Sequence, residues 1–122
     1  MTETADDVVI PALLRAARGA YGHAIHRRLR EAGYDDVPRG APYLLGGMAN
    51  HGFAPGLLLR EMGLRDERSQ RLVDALVAGG YLERRGELEV TERGRAAAAE
   101  VKAAIDGVDA ELAVQHFLDV DP

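Results

Sequence analysis

The chain has 122 residues, a formal net charge of −5 and no cysteine, which fits one domain and excludes a disulfide scaffold or a thiol nucleophile. No apolar run approaches the roughly 20 residues that a membrane helix needs, and the acidic first residues are unlike a secretory signal. We therefore expect a single domain over residues 1–122, a cytoplasmic location and no membrane association.

The charge is unevenly placed along the chain. From Pro11 to Arg30 there are five arginines and no acid, whereas Val101 to Pro122 holds five acids and one lysine. Because the sign changes along the chain, the net charge alone does not exclude a nucleic-acid partner. Arginine also offers a planar fork that suits phosphates and guanine edges.

Few groups are available for catalysis or metal binding. Ser69 is the only serine and Lys102 the only lysine, and no nucleophile stands beside an obvious base. His23 and His26 could share a helix face, with His51 and His116 elsewhere, but a zinc site needs three or four ligands of defined geometry. We expect no enzyme, no metal and no cofactor.

Two helices are predicted before residue 51. The first runs from Pro11 to about Ala32, because proline suits a first helical position and apolar residues recur at helical spacing. The second starts at Pro42 and contains Gly46 and Gly47. Each glycine lowers the stability of a helix by about 1 kcal/mol relative to alanine. We therefore expect close packing to hold this helix in place, with another backbone as its neighbour.

The next two helices are separated by one glycine. The third starts at Pro55 and ends near Gly63, and the fourth lies in "LRDERSQRLVDALVAGG", with Asp66 as the expected N-cap. Its apolar face comprises Leu72, Val73, Leu76 and Val77, and the helix is expected to end at Gly79 and Gly80.

A hairpin and a long helix complete the chain. In "ERRGELEV" and its flanks, Leu82, Leu88 and Val90 form one apolar face around Gly86. Thr91 is the expected cap of the last helix. Its apolar stripe comprises Val101, Ile105, Val108 and Leu112, passes through Gly107, and suits packing against another helix.

This order of elements is typical of one fold. Helix, helix, short helix, helix, hairpin and long helix is the winged helix-turn-helix arrangement, whose second helix-turn-helix element presents side chains to the major groove. The stretch "PGLLLREMGLRDERSQRLVDALVAGG" supplies both helices, so we predict a mainly α fold with a short β-hairpin wing.

The same residues resemble the MarR family of bacterial transcription regulators. The resemblance rests on "GLRDERSQRLVDALVAGGYLERR" followed by "LEVTERGR", and on the upstream segment from "AYGHAIHRRLREAGYDD" onward. It implies a homodimer built from helices at 11–32 and 92–118, a DNA-binding region over 42–91, and a palindromic double-stranded operator. It also implies a repressor that responds to a small aromatic or phenolic ligand.

Carried onto this sequence, the resemblance assigns six residues to DNA. Arg68 and Gln70 are expected to read base edges, because arginine pairs with guanine and glutamine with adenine. Arg65 and Arg71 are expected to contact phosphate. Arg84 and Arg85 are the basic candidates at the tip of the wing. The alternative for the helix residues is a solvated face whose charge is balanced by Asp66, Glu67 and Asp74.

A ligand site is predicted between the first, second and fifth helices. Tyr21, Tyr43 and Met48 are the candidate lining residues, and the alternative is that they belong to the ordinary core.

The wing departs from the family pattern. The family usually carries a longer loop with an Asp-x-Arg sequence, whereas this hairpin is several residues shorter and adds Glu87 and Glu89, which oppose phosphate. The alternative function is therefore a DNA-binding-impaired protein that acts as a ligand sensor or protein-interaction module.

Overall fold

The structure is a computed structural model that describes the backbone of residues 5–120 and the side chains of residues 18–115. This part of the chain is mainly helical with one small two-stranded antiparallel sheet, which confirms the predicted mainly α character. The elements are α1 (Ala5–Glu31), α2 (Ala41–His51), α3 (Pro55–Glu61), α4 (Asp66–Ala78), β1 (Leu82–Arg85), β2 (Glu87–Val90) and α5 (Glu92–Val120).

The first helix is longer than predicted. It begins at Ala5, so Pro11 does not begin it, although its end at Glu31 agrees with the sequence. The first helix was predicted partly from the helical spacing of Ile10, Leu13, Leu14 and Ala17, and these four residues lie outside the described side chains, as does His116.

Gly46 and Gly47 lie in the middle of α2 and are buried. A Cβ on Gly47 would lie 2.6 Å from Cδ1 of Leu58, and one on Gly46 would lie 3.8 Å from Cγ1 of Val101. The predicted close packing is therefore correct, but the neighbours are side chains of α3 and α5 and not another backbone. Gly47 therefore allows α3 to approach α2, whereas a Cβ on Gly46 would make only ordinary contact with α5.

The connection between α3 and α4 is a tight turn around Gly63, whose φ of 69° is readily adopted only by glycine. The prediction that Asp66 is the N-cap of α4 is wrong by one residue. Arg65 occupies that position with an extended backbone and no capping side-chain hydrogen bond, and Asp66 is already helical. Its carboxylate can therefore favour the helix only through the dipole at the first turn.

The hairpin pairs Leu82 with Val90 and Arg85 with Glu87 across the turn at Gly86. Leu82 is buried, while Leu88 and Val90 pack half-buried against the core, as predicted. The hairpin therefore covers the core with one face.

Thr91 caps α5 as predicted, because the backbone N–H of Gly94 donates to Thr91 Oγ1 over 3.0 Å. The helix then continues without interruption through Gly107. Of the predicted apolar stripe, Val101 and Val108 are buried and Leu112 is 44% exposed. One end of α5 thus keeps an apolar side chain in solvent.

The core joins all of these elements. α5 packs against α1 and α2, and the most buried large side chains are Tyr81, Leu29, Leu44, Leu45, Leu76 and Leu82. Among the described residues, no helix is both long and apolar enough to cross a bilayer.

Candidate nucleic-acid interface

Helix α4 has one buried and one exposed face. Leu72, Val73 and Leu76 are buried, at spacings of one, three and four residues. Because 3.6 residues complete a turn, the polar positions between them point away from the core. The four helix residues predicted to contact DNA are all exposed: Arg65, Arg68, Gln70 and Arg71.

Arg65 and Arg68 lie together at the start of α4. They line a shallow depression of about 360 Å³ with Gly63 and Leu64 of the preceding turn. Among the described side chains, neither arginine forms an ion pair within 4.0 Å. Both guanidinium groups are therefore available to an anion from solvent.

Gln70 and Arg84 line a second depression, of about 290 Å³, between α3, α4 and the hairpin. Leu59 and Val73 form part of its apolar wall, and Ser69 lies beside Gln70. The fold thus brings the predicted base-reading glutamine and one wing arginine to the same groove.

Three arginines of this region are paired with carboxylates of the same chain. Nη2 of Arg84 donates to Oδ1 of Asp74 over 2.8 Å, which joins β1 to α4. Nε of Arg85 lies 3.2 Å from Glu83, and Nη2 of Arg71 lies 4.0 Å from Glu67. All three pairs are solvent-exposed, so each contributes about 0–1 kcal/mol to stability.

The charges of the region nearly cancel. Residues 60 to 90 contain six arginines and seven acids, a difference of one negative charge. A duplex requires positive potential, because phosphate contacts supply most of the affinity. Any affinity for DNA must therefore come from the local grouping of Arg65 and Arg68 and from rearrangement of the paired arginines.

A cluster around Tyr81, which the sequence did not lead us to expect, links this region to the rest of the molecule. The buried Tyr81 donates its hydroxyl proton to Asp36, and Arg93 donates from Nη2 to the same hydroxyl over 3.0 Å. Nε of Arg93 also donates to the carbonyl of Gly79 at the end of α4 over 3.0 Å. Its guanidinium lies 5.2 Å from the ring centre of Tyr34 and 4.6 Å from that of Tyr81.

This arrangement shifts the pKa values of Tyr81 and Asp36. Burial, together with the hydrogen bond to Asp36, raises the pKa of Tyr81 to about 12. The same hydrogen bond, together with Arg93, holds the pKa of Asp36 below its usual value. Asp36 is therefore the charged acceptor and Tyr81 the donor near neutral pH, which fixes the end of α4 relative to the α1–α2 loop.

The predicted ligand-lining residues are dispersed. Tyr21 donates its hydroxyl proton to Asp109 on α5, Tyr43 is 50% exposed on α2, and Met48 lines a groove of about 690 Å³ beside Phe53 and β2. The three side chains do not converge on one of the grooves described here, because only Met48 lines one. Within residues 18–115, no group of three or more His, Asp or Glu side chains is arranged to hold a metal ion.

Comparison with known proteins shows likeness in fold. No protein-family model matches the chain, and no curated protein matches it. The crystal structure of RV1404 from Mycobacterium tuberculosis is similar, with a TM-score of 0.68 and 23% sequence identity over 93% of this chain and 82% of that one. At this identity the similarity concerns the fold alone.

Proposed function

We propose that the chain is a dimeric DNA-binding transcription regulator of winged helix-turn-helix type, similar to the MarR family and acting as a repressor. α3, the Gly63 turn and α4 form the helix-turn-helix, and β1 and β2 form a shortened wing. The observation that carries the proposal is that Arg65 and Arg68 are both exposed at the start of α4, while Leu72, Val73 and Leu76 of the same helix are buried in the core.

The proposed interface divides into two functions. Arg68 and Gln70 read base edges in the major groove, where arginine and glutamine match guanine and adenine. Arg65 and Arg71 contact phosphate from α4, and Arg84 and Arg85 do so from the hairpin. Support comes from the exposure of the helix residues and from the groove that holds Gln70 beside Arg84.

The proposed dimer uses α1 and α5. These helices pack against each other within one chain, and α5 leaves Leu112 and Val114 exposed at 44% and 59%. Burying these side chains against a second copy would remove apolar surface from water. Two-fold symmetry would place the two α4 helices to read a palindromic operator.

A gel shift with duplex DNA from around the protein's own gene tests the proposal. The folded protein should bind, and Arg68→Ala should weaken binding by about 1–3 kcal/mol, the value of one bidentate base contact. Arg39→Ala is the matched control, because Arg39 is an exposed arginine in the loop between α1 and α2, outside the proposed dimer helices and the proposed interface, and should leave the shift unchanged. Absence of any shift with folded protein would refute DNA binding.

The second candidate is a ligand sensor or protein-interaction module that has lost operator binding. The near balance of charges around α4 and the carboxylate partners of Arg71, Arg84 and Arg85 favour it. A thermal shift with phenol or benzoate, in a protein that shows no salt-dependent DNA affinity, would support this reading. Strong salt dependence of DNA binding would exclude it.

A further inference from the structure

The contact between Asp74 and Arg84 joins the hairpin to α4. It is an ion pair between different elements, whereas Arg71 pairs four residues along its own helix and Arg85 pairs within β1. Its 2.8 Å N···O distance is the shortest of these three, and both side chains are accessible, at 49% for Arg84 and 63% for Asp74. Solvent and a macromolecular anion can therefore reach the same guanidinium.

We propose that Asp74 is an affinity-setting residue, which holds Arg84 as an internal substitute for a DNA phosphate. This inference rests on the proposed DNA-binding function. An exposed ion pair of this kind contributes little to stability, so exchanging the carboxylate for a phosphate costs little. Contact between the hairpin and DNA nevertheless requires the exchange, and it leaves Asp74 facing the duplex without its partner.

The position of the pair supports competition. Arg84 lines the groove that also holds Gln70, so a phosphate that approaches this groove meets a guanidinium already occupied by a carboxylate. Arg65 and Arg68 have no such partner among the described side chains. The start of α4 can therefore bind first, and engagement of the hairpin depends on the release of Arg84.

The predicted consequence is a gain of affinity on removal of one carboxylate. Asp74→Asn keeps the shape of the side chain but removes its charge, which frees Arg84 for phosphate. Each new phosphate contact steepens the plot of log affinity against log salt by about 0.9, so a dimer with two released arginines should gain about 1.8. At 0.1 M salt, the affinity should rise by at least about threefold.

A double-mutant cycle separates competition from the general effect of a negative charge. Fluorescence anisotropy with labelled duplex DNA from around the protein's own gene would compare wild type, Asp74→Asn, Arg84→Ala and the double variant over a salt series. If Asp74 acts by occupying Arg84, the gain from Asp74→Asn disappears in the Arg84→Ala background. Asp35→Asn, which removes an exposed carboxylate in the loop between α1 and α2, is the matched control and should change nothing.

The outcomes distinguish this inference from the proposed function. A gain of affinity from Asp74→Asn that occurs only when Arg84 is present supports competition. An equal gain in both backgrounds, or no gain with wild-type DNA binding intact, overturns the inference and leaves the proposed function standing. Absence of binding by all folded variants overturns the proposed function, and the inference with it. Circular dichroism of each variant verifies folding.

Discussion

At the scale of single residues, Gly94 has the least room for a side chain among the glycines that the structure describes. A Cβ at this position would clash with the carbonyl oxygen of Tyr81 and lie 2.8 Å from Cγ1 of Val90. The start of α5 can therefore contact the entry to the hairpin only if residue 94 has no side chain. Nothing in the helical pattern of the sequence signals this, because the clash involves Tyr81 and Val90, which lie outside α5.

Gly94→Ala should therefore destabilise the protein. We expect the free energy of unfolding to fall by about 2–3 kcal/mol, at the upper end of overpacking effects. Gly19→Ala is the matched control, since it lies in α1 with open space around its Cβ position and should gain up to about 1 kcal/mol from helix propensity. Urea denaturation of the two variants measures the difference, and equal stability would contradict the close approach.

Tyr81 makes stability depend on pH in the alkaline range. In the unfolded chain a tyrosine ionises near pH 10, whereas the pKa of the folded Tyr81 is raised to about 12. The contribution of this group is complete below pH 10 and is lost as the pH rises toward 12, by no more than about 3 kcal/mol.

Tyr81→Phe should remove this part of the pH dependence. The melting temperature of the wild type should fall more steeply between pH 10 and 12 than that of the variant, because only the wild type carries Tyr81 with its raised pKa. Tyr43→Phe is the control, as Tyr43 is 50% exposed. Parallel curves for wild type and Tyr81→Phe would contradict the assignment.

At the scale of elements, Thr91 connects the end of α4 to the start of α5. Its hydroxyl accepts from the backbone N–H of Gly94 over 3.0 Å and donates to the carbonyl of Gly80 over 2.5 Å. One side chain therefore satisfies a backbone group in each of two helix ends.

Removing the hydroxyl of Thr91 should lower the free energy of unfolding more than removing its methyl group does. We expect Thr91→Val to lower the free energy of unfolding by about 1–2 kcal/mol, as for other helix caps, and Thr91→Ser to retain most of the stability. Thermal unfolding of both variants measures the effect. Equal losses for valine and serine would show that packing of the methyl group, and not capping, is responsible.

The sequence predicts the elements of this fold better than it predicts their ends and contacts. The spacing of apolar residues and the turn residues were sufficient to predict the helices, the hairpin with its apolar face at Leu82, and the cap at Thr91. The start of α1 and the cap of α4 were missed because several adjacent residues suit each position. The Tyr81–Arg93 cluster was missed because its members come from separate elements, and no spacing along the chain reveals their meeting.

The candidate interface shows the same division. Exposure of Arg65, Arg68 and Gln70 follows from the helical period of α4, and the sequence was sufficient to expect it. The ion pair between Asp74 and Arg84 depends on how the hairpin lies against the helix. The two residues are ten positions apart in the chain, and their contact becomes visible only in the tertiary structure.

At the scale of the whole molecule, the proposal requires two copies of the chain. The exposed Leu112 and Val114 on α5 are the apolar surface that dimerisation would cover. Sedimentation velocity should therefore give twice the chain mass of 13.2 kDa, and Leu112→Glu should shift the protein toward monomer, since a buried carboxylate is costly.

Leu57→Glu is the control for that experiment. Leu57 is similarly exposed, at 42%, but lies on α3 outside the proposed dimer helices, so its variant should remain dimeric. A monomeric wild type at micromolar concentration would remove the basis for palindromic recognition. Dissociation of both variants would instead point to an interface that includes α3.

The salt dependence of duplex DNA binding tests the central claim most directly. Anisotropy titrations of the wild-type protein with labelled duplex from around its own gene, from about 50 to 200 mM salt, would give the slope of log affinity against log salt. The proposed interface predicts saturable binding with a slope of about −0.9 for each phosphate contacted, so several arginines per dimer give a steep decline. A folded protein with no measurable affinity at the lowest salt, or with affinity independent of salt, would contradict it.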